Sequence, residues 1–120
     1  MAFKFEQLEV WKLVIDLADD VHNLTRAFPK EEVFSLTSQM KRAADSISLN
    51  IAEGSTGQSN PEQGRFLGYA QRSALEVVNC LYLAIKRSYI NQNQFDEFYS
   101  ILEKLLVKIQ AFRNSIKNKT

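Results

Sequence analysis

The side chains best placed to do chemistry fall in one segment, from Gln39 to Gly54. Within it Gln39, Arg42, Ser46, Asn50 and Glu53 recur at spacings of 3, 4, 4 and 3. At about 100° per residue a helix gathers all five into an arc of about 80°. They stand beside an apolar row of Leu36, Met40, Ala43, Ala44, Ile47 and Ile51, while Lys41, Asp45 and Ser48 take the opposite, solvent side. A row of hydrogen-bonding groups on the margin of a core can do three things. It can form a network in which Arg42 meets a carboxylate such as Glu53, or Glu76 on a neighbouring helix. It can fix how subunits meet, because buried polar groups must be paired. It can also bind a ligand. A counterpart lies further on, where Arg65, Tyr69, Arg72, Ser73 and Glu76 cluster on one edge of another helix, with Arg72 and Glu76 at the i,i+4 spacing of a stabilising pair. Gln39, Arg42, Ser46, Asn50, Glu53, Ser73 and Glu76 are therefore read as a structural or interface stripe.

Catalytic patterns are missing. A nucleophile needs an adjacent base, and the one histidine, His22, sits among Asp19, Asp20 and Asn23 near a helix end, which reads as solvent-facing. The one cysteine, Cys80, lies among Val77, Val78 and Leu81 and reads as a small buried hydrophobe; alone it makes no internal disulfide. There is no zinc spacing, no Glu-x-x-His pair for a di-iron bundle and no dinucleotide fingerprint. Gly54-Ser-Thr-Gly57 lacks the Lys-Ser/Thr that would complete a phosphate loop. The expectation is a protein that is not an enzyme, with no cofactor and no metal.

Basic residues offer a different chemistry. Lys104, Lys108, Arg113 and Lys117, with Lys119, line the later turns of the last helix, and Lys86 and Arg87 close the third. Cations at helix C-termini complement the macrodipole, and that alone accounts for such clusters. The net charge of +1 is not the footprint of an obligate nucleic-acid binder, but it is unevenly spread. Residues 1–60 carry six basic and nine acidic side chains, residues 61–120 nine and five. Repeated around one rim of a ring of subunits, Lys86, Arg87, Lys104, Lys108, Arg113 and Lys117 could meet several phosphates together.

These side chains need helices to position them. In 120 residues there are only four glycines and two prolines, so helices are favoured over strands. Four are expected within one domain spanning residues 1–120, at about 5–26, 36–53, 61–88 and 93–118. Phe28-Pro29 ends the first. Ser35 reads as N-cap of the second and Gly54 as its positive-φ terminator. Asn60-Pro61-Glu62 reads as N-cap, N1 and first turn of the third. Short connections make the bundle up-and-down and antiparallel. Helix 4 shows one broad apolar side. Helix 1 (Trp11, Val14, Ile15 and Ala18, with Leu13, Leu17, Val21 and Leu24 beyond) and helix 3 (Leu75, Tyr82 and Leu83 beside its core stripe) carry more apolar surface than one stripe. That surplus predicts a subunit interface and a homo-oligomer. No apolar run approaches the roughly 18 residues of a membrane span. The opening Met-Ala-Phe-Lys-Phe-Glu-Gln has charges where a signal peptide has its core, so a cytoplasmic protein is expected.

Taken together, Phe5-Glu-Gln-Leu8-Glu-Val-Trp11-Lys, Phe28-Pro29, Leu36-Thr-Ser-Gln39-Met-Lys-Arg42-Ala-Ala-Asp-Ser46-Ile, Asn50-Ile-Ala-Glu53-Gly54 and Phe66-Leu-Gly-Tyr-Ala70-Gln-Arg-Ser73-Ala-Leu-Glu76 resemble the four-helix-bundle proteins encoded by intervening sequences in bacterial 23S rRNA genes. Arg72 stands where that family often has glycine. The resemblance implies an up-and-down bundle assembling into a homopentameric ring. It also implies kinship with the accessory variability determinant of diversity-generating retroelements, a basic pentamer that works with a reverse transcriptase and RNA. The functional expectation is a non-catalytic homo-oligomer that binds RNA or a nucleoprotein; the alternative is a protein-interaction scaffold indifferent to nucleic acid.

Overall fold

The computed structural model describes residues 2–57 and 59–117; Asn118, the last residue of the expected fourth helix, and Lys119 lie outside them. Among the described residues there are four α-helices and no strand: α1 (Glu9–Thr25), α2 (Leu36–Gly54), α3 (Asn60–Lys86) and α4 (Gln92–Lys117). They form a rod of 46 × 23 × 22 Å. Contacts across the seams run antiparallel. On α3 and α4, Tyr82 meets Phe95 near the connecting turn, whereas Gln71 meets Gln110 further away. Between α2 and α3, Ser46 meets Ser73 and Gly54 meets Phe66. The α2–α3 seam is the most extensive, and α1 touches α4 only lightly.

The apolar faces explain this arrangement. Leu36, Met40, Ala43, Ala44, Ile47 and Ile51 of α2 are all buried, against Leu67, Ala70, Ala74, Val77 and Leu81 of α3 and Leu102, Leu105 and Ile109 of α4. The width of α1 is largely used inside the protomer: Val14, Leu17, Ala18, Val21 and Leu24 are buried, leaving Leu13 and Ile15 exposed. On α3, Leu75 and Tyr82 stay exposed, and Leu83 packs on the edge of the core. The apolar surplus read from the sequence thus shrinks to a few side chains per helix.

The helix ends differ from the sequence reading in instructive ways. A 3-10 turn at Lys4–Gln7 precedes α1, and extended Leu8 separates the two, so α1 starts at Glu9. Ser35 does not cap α2 with its own side chain. Instead the Glu32 carboxylate, on a 3-10 turn at Lys30–Glu32, accepts from the Ser35 hydroxyl at 2.6 Å and the Leu36 N–H at 3.3 Å. Its other oxygen accepts from the Tyr89 hydroxyl at 2.7 Å and an Arg87 N–H at 3.2 Å, so Glu32 ties the α1–α2 turn to the α3–α4 turn. Gly54 is the last residue of α2 itself, not a positive-φ terminator. Its glycine is required by proximity: a Cβ there would lie 2.8 Å from Phe66 Cβ. The cap of α3 is Ser59, one residue earlier than expected, whose Oγ accepts from Glu62 N–H.

Candidate nucleic-acid interface between α3 and α4

The polar stripe of α2 resolves into a centre and two ends. At the centre, the Ser73 hydroxyl donates to Ser46 Oγ across the α2–α3 seam at 2.9 Å, and Asn50 Nδ2 donates to the Ser46 carbonyl at 2.9 Å and to its Oγ at 3.1 Å. These groups are half-buried and satisfied. At the ends, Gln39, Arg42 and Glu53 are exposed, and so is Glu76 on α3. The ion pairs found among the described residues do not join Arg42 to Glu53 or Glu76, nor Arg72 to Glu76. The intrachain network expected around Arg42 is therefore absent there; the geometry leaves that residue pointing to solvent, and only the serine–asparagine part of the stripe forms a network. Asp45, placed by periodicity on the solvent side, instead reaches His22 on α1, with Nε2 at 3.1 and 3.2 Å from its carboxylate oxygens.

The basic residues do not share one rim. Antiparallel packing puts Lys86 and Arg87, at the end of α3, at one end of the rod, and Arg113 and Lys117, near the end of α4, at the other. Arg87 is held by Glu32, and Lys108 is 3.3 Å from Glu9 at the start of α1. Lys104 and Lys86 are exposed on their helices. What does come together is a different group. Arg65 and Arg72 of α3 and Arg113 and Lys117 of α4 border one groove of about 760 Å³, with Tyr69, Leu75 and Ile116 as its apolar walls. None of the described residues lining it is acidic; Glu62 reaches Arg65 from the first turn of α3.

The groove exists because of what α3 lacks on that side. Gly64 and Gly68, one helical turn apart, carry no side chain, and a Cβ at Gly64 would meet nothing within 4 Å. Over Gly68 lies the Arg113 guanidinium: a Cβ there would be 3.1, 3.2 and 3.2 Å from Nη2, Cζ and Nη1. Near-equal distances to three atoms of one planar group mean that its face, and not its edge, covers the helix. The same guanidinium is oriented by a chain of amides. Arg113 Nη1 donates to Gln71 Oε1 at 2.8 Å, Gln71 Nε2 to Gln110 Oε1 at 2.7 Å, and Gln110 Nε2 to Asn114 Oδ1 at 2.8 Å. A half-buried guanidinium held in this way suits a polyanion, since little side-chain freedom remains to be lost on binding.

Sequence reasoning marked Arg65, Tyr69, Arg72, Arg113 and Lys117 but grouped them otherwise. It passed over Gly64, Gly68 and the amide chain. The available signal was the Gly-x-x-x-Gly spacing inside an otherwise uninterrupted helix, which usually marks a packing or functional reason for the missing side chains. Cys80 is buried, and burial, with the Glu76 carboxylate adding to it, pushes its thiol up to about 11, so little thiolate is present near neutrality. Among the described residues no group of three or more His, Cys, Asp or Glu side chains is placed to hold a metal ion, and no helix is long and apolar enough to cross a membrane.

Comparison with known proteins fits this architecture. A search of curated proteins finds none that matches. Among solved structures, the chain is similar to a protein of unknown function from the S23 ribosomal protein family of Bacteroides thetaiotaomicron, seen at 1.70 Å resolution. The TM-score is 0.80 at 23% sequence identity, over 87% of this chain and 97% of that one, a likeness of fold. The model of the 23S rRNA-intervening sequence protein family matches residues 6–111, nearly the whole of the four-helix bundle, and the chain belongs to that family.

Proposed function

We propose that this chain is a non-catalytic, homo-oligomeric accessory protein that binds RNA through its phosphates, using the α3–α4 groove. The observation that carries the reading is the grouping of Arg65, Arg72, Arg113 and Lys117 around a cleft with no carboxylate side chain among the described residues that line it. In a chain of net charge +1, such local concentration is what allows phosphate binding without an overall basic surface. Exposed Leu13 and Ile15 on α1 and Leu75 and Tyr82 on α3 support self-association, a pentamer being the expected form. In a closed ring each groove would be repeated around the assembly, and multivalency would raise the affinity for a long strand.

Binding of a labelled RNA followed by fluorescence anisotropy across a salt series tests the reading. Affinity should fall steeply with salt. It should also collapse in Arg72→Glu/Arg113→Glu but not in Lys104→Glu. Absence of binding at low salt by the intact protein overturns it. Light scattering tests the assembly separately, and a stable particle of 13.8 kDa, the mass of one chain, would remove the oligomer. The scaffold reading draws on one observation, the 95% exposure of Phe34 beside exposed Val33 in the α1–α2 turn. It predicts oligomers without affinity for nucleic acid and loss of a protein partner in Phe34→Ala.

A further inference from the structure

The groove does more than concentrate charge, and its shape bears on which form of nucleic acid it holds. This step rests on the RNA-binding reading above. A site for duplex phosphates needs only point charges on an open surface. Here there are two planar groups as well. One is Tyr69, partly exposed on the groove wall and held edge-to-face against Phe66 at 5.7 Å. The other is the Arg113 guanidinium, one face of which covers Gly68. The opposite face is thereby the one left to the groove, and the hydrogen bond to Gln71 keeps the plane from turning. Guanidinium planes and tyrosine rings are the surfaces on which unpaired bases stack; bases inside a duplex are already stacked and cannot reach them. Arg65 and Arg72 stand two helical turns apart along the same wall, about 10 Å by helical rise, which leaves room for a nucleoside between two phosphates. Gly68 lies between these cations along α3, beneath the Arg113 guanidinium, and the unfilled space over Gly64 adjoins Arg65 in the same groove.

We infer that the α3–α4 groove binds single-stranded RNA, stacking an unpaired base on the Arg113 guanidinium or the Tyr69 ring while Arg65 and Arg72 hold the flanking phosphates. Selection for single strands then comes from the planar groups, and salt dependence from the cations.

The test uses the full chain in its native assembly with two probes, a labelled oligoadenylate and the same strand annealed to its complement. The wild type should bind the single strand about tenfold or more tightly than the duplex at equal salt, the scale of one stacked base. Three variants separate stacking from charge. Arg113→Lys keeps the charge and loses the plane, so it should weaken single-strand binding about tenfold with the salt slope unchanged. Tyr69→Leu should act in the same direction. Gly64→Leu should block the cleft; its Cβ meets nothing and leucine favours the helix, so loss of binding there is not loss of fold, as a thermal melt will verify. Equal affinity for both probes, or variants that leave the single-strand preference intact, overturns the single-strand inference while leaving phosphate binding standing. No binding of either probe at low salt overturns both.

Discussion

The seam between α3 and α4 has two halves that solve the same packing problem differently. Near the turn it is filled with rings: Tyr82 lies edge-on to Phe95 at 5.0 Å and to Tyr99 at 6.5 Å, and Phe95 stacks on Tyr99 at 5.7 Å. At the far end the same two helices present glycines, amides and cations. There the Arg113–Gln71–Gln110–Asn114 chain joins them in place of aromatic contact, and the groove stays open. One pair of helices thus carries a staple and a cleft. The half that stabilises is apolar and filled; the half available for binding is polar and left empty, because binding surfaces draw on regions where packing has not already satisfied the side chains.

If this division is real, the halves should separate in measurement. The largest effect belongs to the open half. Arg72→Glu/Arg113→Glu should lower RNA affinity at least about a hundredfold at low salt and reduce the slope of log K against log salt by about 1.5–2, since two cations are lost from the groove and two repulsions gained. Thermal stability should fall only by the loss of the Arg113–Gln71 hydrogen bond, about 1 kcal/mol, because Arg72 is exposed and takes part in none of the ion pairs found. Tyr82→Ala is the converse: it removes a half-exposed ring with its two edge-to-face contacts, and should cost about 1–2 kcal/mol in a denaturant melt with RNA affinity unchanged. A Tyr82→Ala variant that binds RNA as poorly as the double glutamate would show the seam to be one unit.

How much of this could be read beforehand varied with the physics involved. Helical faces were legible because burial repeats with the helix: each of the six apolar positions chosen on α2 is buried. Antiparallel order was legible from short connections. The rim of basic residues was not sound, and the reason lies in that same topology, which separates the C-terminal ends of α3 and α4 by the length of the rod. The amide chain was illegible because Gln71 and Gln110, 39 residues apart, meet only once the register of two helices is known. Gly54 shows a subtler gap. A glycine at a helix end suggests positive φ, yet here the missing Cβ makes room for Phe66. Periodicity reports which face a residue takes but not how near the neighbouring backbone comes. The same limit applies to Arg42, exposed on the flank of a stripe whose centre is paired. Arg42→Ala should therefore cost under about 0.5 kcal/mol in the isolated chain, and a larger cost in the assembled protein would place Arg42 at a subunit contact.

The two glycines of the open half sharpen the comparison on a smaller scale. Both sit inside α3, where alanine is intrinsically preferred by about 0.5–1 kcal/mol. Gly64→Ala should realise that gain, since its Cβ meets nothing within 4 Å. Gly68→Ala should not, because its Cβ must displace the Arg113 guanidinium from 3.1–3.2 Å. A melt should show Gly64→Ala stabilised and Gly68→Ala near wild type, with reduced RNA affinity only in the latter. Equal stabilisation of both would mean that Arg113 does not rest on Gly68 in solution.

The smallest effect concerns pH and the turn half. The Ser35 hydroxyl first, and then the Tyr89 hydroxyl, hold the Glu32 carboxyl below its ordinary value. A folded pKa below the unfolded one contributes stability that is present above the ordinary carboxylate range and lost as pH falls through the folded value. Acidification from pH 6 to pH 3 should therefore lower the melting temperature of the wild type more than that of Glu32→Gln, in which this contribution is absent at every pH. Tyr89 has the opposite sign. The hydrogen bond to Glu32 raises its phenol, so its share is present below the ordinary tyrosine value and is lost as pH rises through the folded one. Both titrations act on the tie between the turns. The groove, with no carboxylate side chain among the described residues that line it, has no such group to lose, so its RNA affinity at pH 5 should be no weaker than at pH 7. A parallel loss of affinity and of stability on acidification would mean that the cleft depends on the Glu32 tie, and the two halves of the seam would then have to be treated as coupled.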